Sequence, residues 1–231
     1  MSKEVIIACD FSSKNDLNLF LKNFKNEKPY LKVGMELFYK EGADMVKELK
    51  QNGFKIFLDL KLHDIPNTVY KAMKNIASLG VDMTNVHASG GIEMMKKARQ
   101  GLSEGANGTG TLLIAVTQLT STSESVLHSE LFISKSLDET VKGYAENAKI
   151  AGLDGVVCSP LEAPIIKKLG LISVTPGIRL SGDCADDQKR ISTPALAREL
   201  GSDYIVVGRS ITGADNPLEA YLRCKNEFSA N

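Results

Sequence analysis

KIFLDLKLHDIPNTVYKAMKNIASLGVDMTNVHA, residues 55–88, reads as strand, loop, helix and strand in one unbroken stretch. Lys55–Lys61 is a short apolar run closed by charged residues, the pattern of a strand buried on both faces of a parallel sheet. Pro66 stands where a helix begins, because its fixed φ suits the first helical turn and its missing N–H costs nothing there. Val69, Met73, Ile76 and Ala77 then line up on one helical face. Gly80 follows and supplies the left-handed residue that ends helices, after which Met83–Ala88 forms the next strand. A crossover helix between two such strands makes them parallel neighbours.

The same unit recurs along the chain. Further strands are predicted at Val5–Asp10, Leu31–Glu36, Leu112–Leu119, Gly155–Pro160, Leu171–Ile178 and Tyr204–Arg209. Leu17, Phe20, Leu21 and Phe24 form a helical face, and Ala43, Val46 and Leu49, then Ala145, Ala148 and Ile150, fit helices more loosely. Gly53, Gly152, Gly170 and Gly201 precede strands as Gly80 does, and Pro194 and Pro217 sit at helix starts. Eight strand–helix units in 231 residues are the arithmetic of an α/β protein with one closed (β/α)8 TIM barrel, a single domain over residues 1–231. An open doubly wound sheet is the rival, weakened by the absence of Gly-x-Gly-x-x-Gly after the first strand and of a P-loop anywhere. Two irregular stretches, about Thr120–Ser134 and Leu180–Ser192, are expected to be functional or mobile loops.

The chain is 43% hydrophobic and 24% charged, and 28 Lys+Arg balance 28 Asp+Glu. That balance gives no electrostatic footprint for nucleic acid or for an anionic membrane, though a small anionic ligand fits it. Val5–Cys9, the apolar run near the start, is far shorter than the roughly 18 residues of a spanning helix, and no signal-peptide pattern precedes it. A cytoplasmic protein is expected. Cys9, Cys158, Cys184 and Cys224 are scattered, and His63, His87 and His128 form no metal-binding pair, so no metal is expected and the thiols read as small buried side chains. Asn107-Gly108-Thr109 reads as a turn.

Barrel active sites form at the C-terminal ends of the strands, so charged residues closing apolar strands are the candidates. Asp10 ends the first strand, Lys32 interrupts the second, Asp59 and Lys61 end the third, Arg179 follows the seventh and Arg209 ends the eighth. Period-two alternation puts Asp59 and Lys61 on one side of their strand, and Leu58, Leu60 and Leu62 on the other. With Lys32 and Asp10 on the neighbouring strands, the inner side carries an alternating array of acids and ammonium groups, each favouring its neighbour's charged form. A structural ion-pair network is the plain alternative, but perturbed charges cluster at functional sites. TPGIR (175–179) and VVGRSIT (206–212) place glycine and arginine where barrels often bind phosphate, or else form a turn with a solvated arginine. His63, beside Asp64, reads as structural or solvent-facing, and His87 and Cys158 as core or wall.

These residues closely resemble the orotidine 5′-phosphate decarboxylase family, in its bacterial type. The resemblance rests on ACDF (8–11), LKVGMELF (31–38), FLDLKLHDIPNTV (57–69), VTQLTS (116–121), GVVCS (155–159), TPGIR (175–179), DQKRISTP (187–194) and YIVVGRSIT (204–212). A wider superfamily shares Asp-x-Lys-x-x-Asp; the extension Ile65-Pro66-Asn67-Thr68 and the motifs of the last two strands are more specific. The resemblance implies that the chain converts orotidine 5′-monophosphate to uridine 5′-monophosphate and CO2 without a cofactor, the final step of de novo pyrimidine nucleotide synthesis. It implies that Asp10 and Lys32 bind ribose hydroxyls, that Asp59 lies beside the scissile carboxylate and that Lys61 delivers the proton. Asp64 and Thr68 would reach into the partner's site of a homodimer. Thr120 would contact the pyrimidine, and Arg179, Gln188, Gly208 and Arg209 would hold the phosphate beneath a closing loop at 180–190.

Two departures touch loop closure rather than the reacting groups: Pro160 stands where the family pattern has Ala, and Leu180 where Pro often follows the arginine. Two rival readings remain. One is a phosphosugar enzyme of the same superfamily that uses Mg2+ to stabilise an enediolate. The other is a catalytically silent barrel that binds a phosphorylated ligand.

Overall fold

The computed structural model describes residues 3–25, 27–107, 110–181 and 192–229. Each stretch expected to be a strand forms one: β1 (Glu4–Ala8), β2 (Tyr30–Gly34), β3 (Ile56–Leu62), β4 (Met83–His87), β5 (Leu112–Val116), β6 (Gly155–Val157), β7 (Ile172–Ile178) and β8 (Tyr204–Val207). Neighbours in sequence pair in parallel and β8 returns to β1, which closes the barrel and removes the open-sheet alternative. Alternation sorts the side chains. Ile6, Phe57, Met83, Ile114, Val174 and Val206 turn inward and fill the interior. Ile7, Leu31, Leu58, Leu113 and Ile205 turn outward into the layer shared with the helices.

The helices are α1 (Lys14–Leu21), α2 (Met35–Gln51), α3 (Pro66–Ala77), α4 (Gly91–Glu104), α5 (Glu124–Ser129), α6 (Leu137–Ile150), α7 (Ala163–Lys168), α8 (Pro194–Glu199), α9 (Arg209–Thr212) and α10 (Pro217–Ser229). Pro66, Pro194 and Pro217 each open one. The five helix-ending glycines all take positive φ, from 66° at Gly80 to 88° at Gly201. Val69, Met73, Ile76 and Ala77 are all buried. Ile150, which with Ala145 and Ala148 gave the looser helical pattern, is the last residue of α6 and is 62% exposed, while Thr140, Val141, Ala145 and Ala148 are buried.

Strand ends differ from the sequence reading where polar residues leave the sheet. β5 stops at Val116 and β6 at Val157, and Pro160 opens a 3-10 turn capped by Ser159. Arg209 does not end β8; it opens α9, with Gly208 as the cap. The Thr120–Ser134 stretch contains α5, capped by Ser123. Of the second irregular stretch, residues 182–191 lie outside the described residues, as do Gly108 and Thr109 of the expected turn. Among the described residues no helix is long and apolar enough to cross a bilayer.

An unforeseen regularity ties the N-terminal face of the barrel. Two residues after Gly80, Gly152 and Gly201 comes an aspartate that accepts a backbone N–H from the strand before it. Asp82 takes Ile56 at 2.7 Å, Asp154 takes Leu113 at 2.7 Å and Asp203 takes Ser173 at 2.9 Å. Each carboxylate thus fixes one odd-numbered strand to its even-numbered successor, and Asp154 also pairs with Arg99. Asp154→Ala leaves the Leu113 N–H unpaired and should lower stability by about 1–3 kcal/mol. Urea unfolding reads that loss, and turnover should not change, because this face is remote from the strand C-termini.

Candidate active site

The inward side of β3 rises from Phe57, in the interior packing, through Asp59 to Lys61 at the mouth. Lys32 lies beside Phe57 in the β2–β3 register, one layer below Asp59, and its stem carries the ammonium upward. Its Nζ lies 3.3 Å from Asp59 Oδ2 and 3.0 Å from Asp10 Oδ1, while Lys61 Nζ donates to Asp59 Oδ1 at 2.7 Å. Asp10, Lys32, Asp59 and Lys61 therefore form one chain of alternating charge. The two carboxylates in it differ: the Asp10 side chain is 61% exposed and that of Asp59 only 9%. Gly34 leaves room for the pair beside it, since a Cβ there would lie 3.2 Å from Asp10 Oδ1 and 3.3 Å from Lys32 Nζ.

Burial alone would neutralise these groups. It disfavours the Asp59 carboxylate, yet Lys32 and Lys61, with hydrogen bonds from Lys61 and Asn85, outweigh it and hold the carboxyl below the ordinary aspartate value. Burial likewise opposes the Lys32 ammonium, but Asp59 and Asp10 raise it above the ordinary lysine value. Both members stay charged around neutrality.

The array opens into a cavity of about 510 Å³ at the C-terminal ends of the strands, whose wall includes Thr120, Arg179, Gly208 and Arg209. The buried Arg179 donates through one guanidinium nitrogen to Ile178 O at 3.0 Å, and its Nε has no hydrogen-bond partner among the described residues. A buried donor left over in a cavity wall suits an anionic ligand.

The fold thus brings together Asp10, Lys32, Asp59, Lys61, Thr120, Arg179, Gly208 and Arg209. Asp64 and Thr68 are exposed and do not line this cavity, and Asp64 accepts the N–H of its own neighbour Ile65 at 2.6 Å. Gln188 lies outside the described residues. Three features escaped the sequence reading. Gln118, nearly buried, lines the cavity. Lys61 takes φ 51°, at a shift in the β3–β4 register between Leu58 and Leu62. Asn85, fully buried on β4, hydrogen-bonds both to Asp59 and to the backbone of Lys61. The signal for Asn85 lay in MTNVHA, where an amide occupies an inward position two residues after Met83.

His63 is not isolated: its ring centroid lies 6.0 Å from that of His87. Burial, then the charges of His63 and Lys61, lower the pKa of His87. Cys9 adjoins Asp10, but burial pushes its thiol up to about 12, which removes it as a nucleophile.

Residues 3–224 match the orotidine 5′-phosphate decarboxylase / HUMPS family. The chain belongs to that family. The orotidine 5′-phosphate decarboxylase of Bacillus cereus (strain Q1) is 56% identical over 233 residues, covering 99% of this chain and 98% of that protein. The crystal structure of orotidine 5′-phosphate decarboxylase from Lactobacillus acidophilus superposes with a TM-score of 0.89 at 44% identity, covering 99% of this chain and all of that one (100%). An uncharacterized conserved protein from Geobacillus kaustophilus superposes with a TM-score of 0.85 at 49% identity, over 97% of this chain and 99% of that one. Membership of the orotidine 5′-phosphate decarboxylase family accords with the barrel and with a mouth lined by both charged array and arginines.

Proposed function

We propose that the chain decarboxylates orotidine 5′-monophosphate to uridine 5′-monophosphate and CO2, the closing step of pyrimidine nucleotide synthesis, in the cytoplasm and without a cofactor. The observation that carries this reading is the Asp10–Lys32–Asp59–Lys61 chain in a cavity that also holds two arginines.

Loss of CO2 leaves an electron pair on a ring carbon with no adjacent carbonyl to accept it. The protein must supply the stabilisation, in the upper part of the roughly 8–23 kcal/mol that enzymes provide. In this reading the Lys61 ammonium faces that carbon. Its charge favours the developing anion, and its proton then forms the new C–H bond while the C–C electron pair stays on the ring. The neutral amine regains a proton from solvent. Asp59 anchors Lys61 through their 2.7 Å hydrogen bond, and Lys32 balances the buried carboxylate from the other side. Asp10 and Lys32 would take the ribose hydroxyls, Thr120 the pyrimidine, and Arg179, Gly208 and Arg209, with Gln188, the phosphate.

The working form in this proposal is a homodimer. Asp64 and Thr68 follow β3 at the mouth yet stay exposed and outside their own cavity, as residues destined for a partner's site would be. The test is an absorbance assay with orotidine 5′-monophosphate in EDTA. The expected result is loss of substrate absorbance at a rate EDTA does not change. Inert substrate, with turnover of a phosphosugar restored only by Mg2+, would overturn the proposal.

A further inference from the structure

We infer that Asn85 is a positioning residue that locks the backbone of Lys61 and the carboxylate of Asp59 into one unit. The inference rests on the decarboxylase reading for its kinetic consequences, and on geometry for the rest.

Asn85 is fully buried on β4. Its Oδ1 accepts the N–H of Lys61 at 2.8 Å and its Nδ2 donates to Asp59 Oδ1 at 2.7 Å. The orientation of the amide is fixed by chemistry, since a backbone N–H only donates and a carboxylate only accepts. The bond to Lys61 falls where the ladder needs it. Between Leu58 and Leu62 the β3–β4 register shifts, and Lys61 takes φ 51°, a conformation lysine rarely adopts. The side-chain amide replaces the missing ladder partner for that residue's N–H. Its other end meets the same carboxylate oxygen that receives Lys61 Nζ at 2.7 Å. Backbone and ammonium of Lys61 are thus held through a ring: main chain to Asn85, Asn85 to Asp59, Asp59 to ammonium.

The charged groups around Asn85 define what a substitution there does. Asp59 and Lys61 of β3 bond it directly, Lys32 of β2 pairs with Asp59 and with Asp10, and His87, two residues on along β4, lies against His63. β5 places Ile114 opposite Asn85 and carries no ionisable side chain.

Asn85→Ala releases the ring and should lower kcat on the order of 100-fold, the cost of a reacting group displaced by about an ångström. KM and the Kd for uridine 5′-monophosphate should stay within about threefold, since Asn85 is not in the cavity wall. Asn85→Asp keeps the shape and decides the matter if the alanine variant does not fold. While protonated, the introduced carboxyl donates to Asp59 as the amide did. Once ionised, it opposes Asp59 and competes for Lys61. The variant should be active at acid pH and lose kcat as pH rises through the titration of the carboxyl pair, a decline wild type does not share. A purely structural role would alter stability and leave the profile unmoved. Wild-type kcat and a wild-type pH profile in N85D would overturn the inference. Absence of turnover by wild type would instead overturn the decarboxylase reading. Asn85 would then be judged by 13C NMR of the Asp59 carboxyl, which should titrate at higher pH in the variants and which an unmoved titration would contradict.

Discussion

Lys61→Ala is expected to lower kcat by roughly 10⁴-fold or more, the combined range for losing a proton donor and a preorganised charge in a closed site. Binding of uridine 5′-monophosphate should survive, because Asp10, Thr120, Arg179 and Arg209 still line the cavity. The same substitution carries a pH signature. Asp59 has a folded pKa below the ordinary 3.8, so its stabilising contribution is present above that value and is lost as pH falls through the folded pKa. Removing Lys61 takes away one of its two ammonium partners and moves the folded pKa upward. Acid unfolding of the variant should therefore begin at higher pH than that of wild type, followed by circular dichroism. Retained turnover in K61A removes Lys61 from the chemistry; an unchanged acid limb removes it from the charge array.

Arg209→Ala is expected to act elsewhere and more selectively. Arg209 is exposed at the cavity mouth, and a hydrogen bond from a charged donor contributes about 1.5–3 kcal/mol, so kcat/KM for the nucleotide should fall roughly 10- to 10²-fold. Part of that loss should be in kcat, since binding energy from a remote phosphate can be used to order the reacting end. Orotidine, which lacks the phosphate, supplies the control. Wild type and R209A should process it at similar low rates, and an equal loss on both substrates would assign Arg209 a structural role instead.

The barrel was legible because its signals are local and repeated. Parallel strands buried on both faces read as apolar runs, and glycines such as Gly80 and Gly152 mark helix ends by backbone conformation alone. The array was legible for a related reason: charges at the ends of apolar strands are conspicuous, and period-two alternation places Asp59 and Lys61 together. What stayed hidden depends on partners distant in sequence. Asn85 is a neutral polar residue whose meaning comes from β3, and Asp82, Asp154 and Asp203 look like loop aspartates until the strands they hold are beside them. The left-handed backbone at Lys61 gives no sequence sign, because lysine does not choose it; the β3–β4 register and Asn85 impose it. Arg209 illustrates a smaller ambiguity, since an arginine after an apolar run closes a strand or opens a helix equally well, and Gly208 decides for α9.

In the proposed reaction CO2 leaves the ring and a proton from Lys61 takes its place. Incubating the protein with orotidine 5′-monophosphate in D2O and examining the product by proton NMR tests it most directly, because the Lys61 ammonium exchanges with solvent. The expected product is uridine 5′-monophosphate carrying one deuterium at the carbon that held the carboxylate, formed by wild type and not by K61A. Unchanged orotidine 5′-monophosphate after incubation with folded wild type, or product formed equally well by K61A, would contradict it.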